Sequence, residues 1–173
     1  HASLVAAALR AGKAVFVEKP LAISVKGLGE IIKAAEESGN DRLMAGFNRR
    51  FAPLLVQLRA AFGESNAPQF FQYRVNAGPS PQDSWYGDRA RQGGRIVGEG
   101  CHFIDTASFW CGARPLAVMA RHTGSDPDDM ALMIDYDNGA LASINYMTQG
   151  DPRYPKELIE TSANGLSARL DNF

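Results

Sequence analysis

Residues 14–20 read Ala14-Val15-Phe16-Val17-Glu18-Lys19-Pro20, a short apolar run with β-branched residues that ends abruptly in charge and proline. Such a run predicts a strand buried on both faces, as in a parallel sheet. Its flanks agree. His1 to Ala11 is rich in Ala and Leu and stops at Gly12, the residue that best tolerates a left-handed helix end. Downstream, Ser24 is placed to cap a helix carrying Leu28, Ile31, Ile32 and Ala35 on one face and ending at Gly39. Gly27 and Gly29 each weaken that helix by about 1 kcal/mol relative to Ala. Leu43 to Phe47 is a second short strand, and Pro53 suits the first position of a helix reaching Phe62. Helix–strand–helix–strand–helix with short links is the end of a parallel α/β unit.

After Gly63 the pattern changes. Phe71, Tyr73 and Val75 alternate with Gln72, Arg74 and Asn76, as in a half-buried strand. A turn-rich stretch runs from Gly78 to Gly94, and a helix is expected over Val97 to Trp110, closed by Gly112. Strands follow near Leu116–Thr123, Met130–Tyr136 and Leu141–Met147, the last two joined by Asn138-Gly139. Asn164-Gly165 joins Leu158–Ser162 to Ser167–Leu170 in the same way, because Asn and Gly tolerate the positive φ of tight hairpins. The fold class is therefore α/β (α+β). Residues 1–63 read as the end of a Rossmann-like parallel unit, and residues 64–173 as a mostly antiparallel sheet domain with one long helix.

The 173 residues are 45% hydrophobic and 21% charged, the balance of a globular protein rather than a disordered or fibrous one. A net charge of −1 leaves no global field to draw nucleic acid or an anionic membrane. No stretch approaches the roughly 18 apolar residues that span a bilayer, and Leu4 to Leu9 lacks the flanks of a signal peptide. Cys101 and Cys111 fall on one expected helix about 15 Å apart, too far to be bridged. Unpaired thiols favour a reducing, cytoplasmic setting. The chain opens at His1 without a methionine, inside an apparent helix, which predicts a processed or excised piece.

Chemistry concentrates at a few places. Glu18-Lys19-Pro20 follows the first buried strand, at the end where crevices open in parallel sheets. A lysine there can donate to a carbonyl or phosphate, and the alternative is a solvated turn. Glu99, His102 and Asp105 recur every three residues and so line one helical stripe. A histidine between carboxylates suits a general base or proton relay, unless it is an ordinary helix histidine with salt-bridge neighbours. Zinc is poorly served, since the adjacent Cys101 and His102 project about 100° apart and no second ligand pair exists. Asn48-Arg49-Arg50 ends the second strand, as a crevice-facing element or a solvated basic turn. Arg89, Arg91 and Arg95 beside Gly93-Gly94 could hold an anion, and Trp85-Tyr86 could stack on a ring or anchor a loop. No Gly-x-Gly-x-x-Gly, Gly-x-Ser-x-Gly or Walker loop occurs.

Taken together, these stretches resemble one family. Ala8-Leu9-Arg10-Ala11-Gly12-Lys13 with Val15-Phe16-Val17-Glu18-Lys19-Pro20-Leu21-Ala22, then Gly46-Phe47-Asn48-Arg49-Arg50-Phe51-Ala52-Pro53, then Gly93-Gly94 before the helix of His102 and Asp105, are similar to the glucose–fructose oxidoreductase/inositol dehydrogenase (Gfo/Idh/MocA) family. The resemblance covers residues 1 to about 112. It implies a Rossmann domain joined to a sheet domain that often forms oligomers, and hydride transfer between NAD or NADP and a sugar, cyclitol or related hydroxy or carbonyl compound. It implies Lys19 and His102 as catalytic residues, Glu18, Lys19, Pro20 and Trp85 near the cofactor, and Asn48, Glu99 and Asp105 near a carbohydrate-like substrate. It also implies about 100 residues with the glycine fingerprint ahead of His1, and hence a piece that is inactive alone. One departure stands out: the family's usual aspartate four positions before the histidine is Gly98 here. The Gly98–Asp105 version resembles a branch fused to an alcohol-dehydrogenase-like half. The rival reading is a non-catalytic module whose sheet serves oligomerisation or ligand binding. In either case the exposed sheet face predicts a homo-oligomer, with Met133 opposing the face of Leu132, Ile134 and Tyr136.

Overall fold

A computed structural model describes residues 1–63, 68–79, 93–124 and 128–173. The chain divides into two compact units, the first comprising His1–Phe47 with residues 93–101 and the second the remainder.

In the first unit, α1 (Ala2–Arg10), β1 (Val15–Val17), α2 (Val25–Ser38) and β2 (Leu43–Ala45) form a two-strand parallel sheet covered on one side by two helices. Ser24 caps α2 by accepting from the Gly27 amide at 3.1 Å, and Gly39 ends it at φ 61°. Val5, Ala6 and Leu9 of α1 pack on Val17 and on Ile31 and Ala34 of α2. Two expectations are corrected here. β1 is not buried on both faces among the described residues: Phe16 is 65% exposed, and it and its register partner Met44 lie on the side of the sheet opposite α1 and α2. The buried stripe of α2 is Gly27–Ile31–Ala34, and Leu28 and Ile32 are exposed. The cause is Gly27, where a Cβ would sit 3.2 Å from the Cβ atoms of Ala2 and Ala22, so the glycine turns that stripe inward against α1.

The second unit is a six-stranded sheet in the order β4–β5–β6–β3–β7–β8, with β3 (Phe70–Asn76), β4 (Pro115–His122), β5 (Met130–Tyr136), β6 (Leu141–Met147), β7 (Glu157–Ala163) and β8 (Leu166–Asp171). Only the β3–β6 pairing is parallel. Alternation sends Phe71, Tyr73, Val75, Leu132, Ile134, Tyr136, Ala142, Ile144 and Tyr146 to one face. There α4 (Cys101–Cys111) lays Phe103 edge-on to Tyr73 at 5.1 Å and Trp110 stacked on Phe71 at 5.8 Å. A 3₁₀ turn (Arg49–Phe51) and α3 (Pro53–Phe62) also belong to this unit. The opposite sheet face carries Met119, Met133 and Phe70 at one side and Glu160, Ser162 and Arg169 toward the other. Both Asn164 and Gly165 take positive φ in the β7–β8 hairpin, whereas at Asn138-Gly139 only the glycine does.

The expected single helix Val97–Trp110 is also corrected. Ile96–Gly100 forms a π turn, and only from Cys101 does the chain continue as an α-helix. Neither cysteine is bridged. No helix among the described residues is long and apolar enough to cross a membrane.

Candidate active site

In the first unit, the sequence-derived site begins where β1 ends. Glu18 is exposed, and its carboxylate lies over Gly46, where a Cβ would come within 3.1 Å of Oε2. Gly46 in turn donates its amide to the Val17 carbonyl at 2.8 Å, extending the β1–β2 pairing by one bond. Lys19 is half-buried and donates from Nζ to the Gly98 carbonyl at 2.8 Å. The Lys19–Pro20 peptide is cis. Gly98 lies in the π turn, as does Glu99, whose carboxylate sits 3.5 Å from Arg95. Glu99 therefore belongs to the π turn Ile96–Gly100, whereas His102 and Asp105 belong to the α-helix that begins at Cys101.

In the second unit, His102 is buried at 7% exposure in the first turn of α4, and the Thr106 hydroxyl donates to its carbonyl at 2.7 Å. Asp105 accepts from two guanidinium nitrogens of Arg50, Nε at 3.0 Å and Nη2, and Arg50 also lies over the Phe109 ring at 5.3 Å. Asn48, exposed, opens the 3₁₀ turn and accepts from the Phe51 amide through its carbonyl at 3.0 Å. Arg49 forms a two-point ion pair with Glu157, which also accepts from the Tyr73 hydroxyl. Burial would lower the Arg49 pKa, but the hydrogen bond and charge of Glu157 raise it beyond its ordinary value. Burial first, and then the Glu157 charge, push the Tyr73 hydroxyl well above the usual tyrosine range.

The reading of Asn48-Arg49-Arg50 as a solvated turn is therefore corrected for its two arginines, each committed to a carboxylate far along the chain. Trp85, Tyr86, Arg89 and Arg91 lie outside the described residues. No cluster of His, Cys, Asp and Glu suited to a metal occurs among the described residues. Sequence reasoning missed the Gly98 carbonyl, since a backbone acceptor carries no residue-type signal, and Gly46, whose role depends on where Glu18 folds.

Within the first unit, an exposed carboxylate and an oriented ammonium stand together at a strand end. In the second, a buried imidazole and a fixed carboxylate share α4. These groups can hold polar atoms and move protons. Comparison with known proteins defines the class. Residues 56–164 match the GFO/IDH/MocA C-terminal domain, and residues 1–47 match the oxidoreductase family NAD-binding Rossmann fold. The chain therefore belongs to the GFO/IDH/MocA oxidoreductase family. It is 31% identical over 178 residues to an inositol 2-dehydrogenase of Rhizobium meliloti, covering 97% of this chain and 53% of that protein. Among solved structures, a putative myo-inositol dehydrogenase from Sinorhizobium meliloti superposes with TM-score 0.78 at 25% identity, covering 99% of this chain and 54% of that one. An oxidoreductase domain protein from Kribbella flavida gives TM-score 0.82 at 26% identity, covering 99% and 53%. The chain spans about half the length of the curated relatives it matches.

Proposed function

We propose that these residues serve an NAD- or NADP-dependent oxidoreductase acting on a sugar, a cyclitol or a related hydroxy or carbonyl compound. The observation that carries this reading is Lys19, held through Nζ at 2.8 Å from the Gly98 carbonyl at the end of a parallel strand. Ligands meet parallel sheets at such ends, and the inositol dehydrogenase likeness supports the substrate class.

The donor set fits the nicotinamide end of a cofactor. The exposed Glu18 carboxylate can accept from a carboxamide, and Lys19 can donate to an oxygen beside it, with Pro20 next in the chain. A nicotinamide bound there supplies the hydride chemistry. What remains for the protein is the proton. Reducing a carbonyl to a secondary alcohol adds one proton to oxygen: the Lys19 ammonium gives it and is left as the neutral amine, and in the oxidation direction that amine takes the hydroxyl proton and becomes the ammonium again. His102 is the second acid/base group, kept on a rigid helix by the packing of Phe103 and Thr106. Asn48, Glu99 and Asp105 serve a polyhydroxylated substrate, Asp105 with its carboxylate plane fixed by Arg50. The sheet face bearing Met119, Met133 and Phe70 serves a homo-oligomer. Light scattering that gave a monomer across a concentration series would remove that last element.

The test of the reaction is an assay of the full-length protein with NAD and NADP against inositols and aldoses. Cofactor reduction with at least one of them is the expected result, and none with any polyol or sugar would defeat the reading.

A further inference from the structure

The π turn Ile96–Gly100 interrupts what would otherwise be a continuous helix through Cys111. Such single-turn π-bulges are rare and occur frequently at functional sites. Here one backbone group is identifiable. Gly98 is buried and has no side chain, and its carbonyl receives the Lys19 ammonium from a residue 79 positions away. The remaining charged pair on the turn, Arg95 and Glu99, joins the turn to itself across four residues.

We propose that the π turn is a positioning device for Lys19, with the Gly98 carbonyl as the positioning group. The catalytic role of Lys19 on which its consequence for turnover rests is the reading given above; the positioning itself does not depend on it. An ammonium has three protons and a flexible four-carbon stem, so its direction in space is undefined until an acceptor fixes one N–H. The Gly98 carbonyl fixes one and leaves two to face a ligand. A carbonyl does this as a neutral acceptor, orienting the lysine without adding a fixed negative charge to the site. Winding the turn into an α-helix would rotate and retract Gly98 by one residue and release Lys19.

Competitive acylation followed by peptide mass spectrometry reads the contact directly, with exposed Lys13 and Lys26 as internal standards. The amine must leave the carbonyl before it reacts. In the full-length protein Lys19 is expected to label about tenfold more slowly than Lys26, the factor that a charge-assisted hydrogen bond is worth. Deleting Gly100 removes the extra residue of the turn and should bring Lys19 to within about twofold of Lys26. In the same variant kcat should fall about tenfold or more while the KM for the cofactor changes less than about twofold. Gly100→Ala keeps the residue count, and its Cβ would meet Ile96 at 3.4 Å, an ordinary contact, so it should retain the slow labelling. Equal labelling of Lys19 and Lys26 in the unaltered protein overturns the proposal, as does a folded deletion variant that keeps both the protection and kcat. Should the deletion variant fail to fold, the unaltered protein and Gly100→Ala decide alone. If Lys19→Ala keeps kcat while the labelling contrast holds, the catalytic reading fails and the positioning stands.

Discussion

Arg49 and Glu157 are 108 residues apart in sequence and form a two-point ion pair, with Nε donating at 2.9 Å and Nη2 to the second oxygen. Both side chains are largely withdrawn from solvent, at 15% and 9% exposure, and Arg49 also lies over the Phe103 ring at 4.7 Å. The pair ties the 3₁₀ turn after Asn48 to the sheet through β7 and, by way of the Tyr73 hydroxyl, β3. Removing one partner leaves an uncompensated charge. Glu157→Leu should therefore cost about 3–5 kcal/mol, whereas Arg49→Met with Glu157→Leu should cost far less. Denaturant titration of the two variants checks this, and equal losses would contradict it.

Asp129 contributes to stability on the acid side. Burial by itself would raise its pKa, but the Thr148 hydroxyl at 2.6 Å, the Thr148 amide, Gln149 at 2.9 Å and Thr123 hold it below the usual carboxylate value. A carboxyl depressed in the folded state contributes stability that is complete above its unfolded pKa, about 3.9, and is lost as pH falls through the folded value. Asp129→Asn should flatten the acid limb of a stability–pH curve below about pH 4. An unchanged limb would count against the account.

Cys111 acts at the other end of the scale. Burial pushes its thiol up to about 12, with Arg59 opposing. A thiol raised in the folded state gives stability that is complete below its unfolded pKa and lost as pH rises from about 9 toward 12. Cys111→Ala should remove that part of the alkaline loss while lowering stability at neutral pH through the cavity it leaves. Thermal unfolding across this range provides the measurement.

Gly150 is required for space. A Cβ there would fall 1.8 Å from Asn76 Oδ1, and the Asn76 amide donates to the Asp151 carbonyl at 2.8 Å. Gly150→Ala must displace Asn76 and break that bond, for a loss of about 2 kcal/mol or more. Gly29→Ala, where a Cβ meets nothing within 4 Å in mid-helix, should instead stabilise by about 1 kcal/mol.

The strands of the second unit were legible because alternation and Asn-Gly turns act locally. Met130–Tyr136 and Leu141–Met147 could be read to the residue, and Ser24 and Gly39 bounded α2 as their capping chemistry dictates. The inward stripe of α2 was not legible, because Gly27 contributes by closeness to Ala2 and Ala22 rather than by apolar surface. The π turn was hidden for a related reason: Ile96–Gly100 has no composition that separates five-residue from four-residue pairing. At the candidate site, Lys19 was visible from its position after a short apolar run. The partners of Arg49 and Arg50 were not, since nothing local points to Glu157 or Asp105, 108 and 55 residues away.

The central claim is that Lys19 carries the proton in a nicotinamide-dependent oxidoreduction, and single-turnover kinetics of Lys19→Ala in the full-length protein test it most directly. Cofactor affinity should stay within about threefold of the unaltered protein, and the rate of hydride transfer should fall about a hundredfold or more, the scale of a lost proton-transfer group. His102→Ala should behave likewise, and Cys101→Ala should change stability alone. A Lys19→Ala protein that transfers hydride at the unaltered rate would contradict the account.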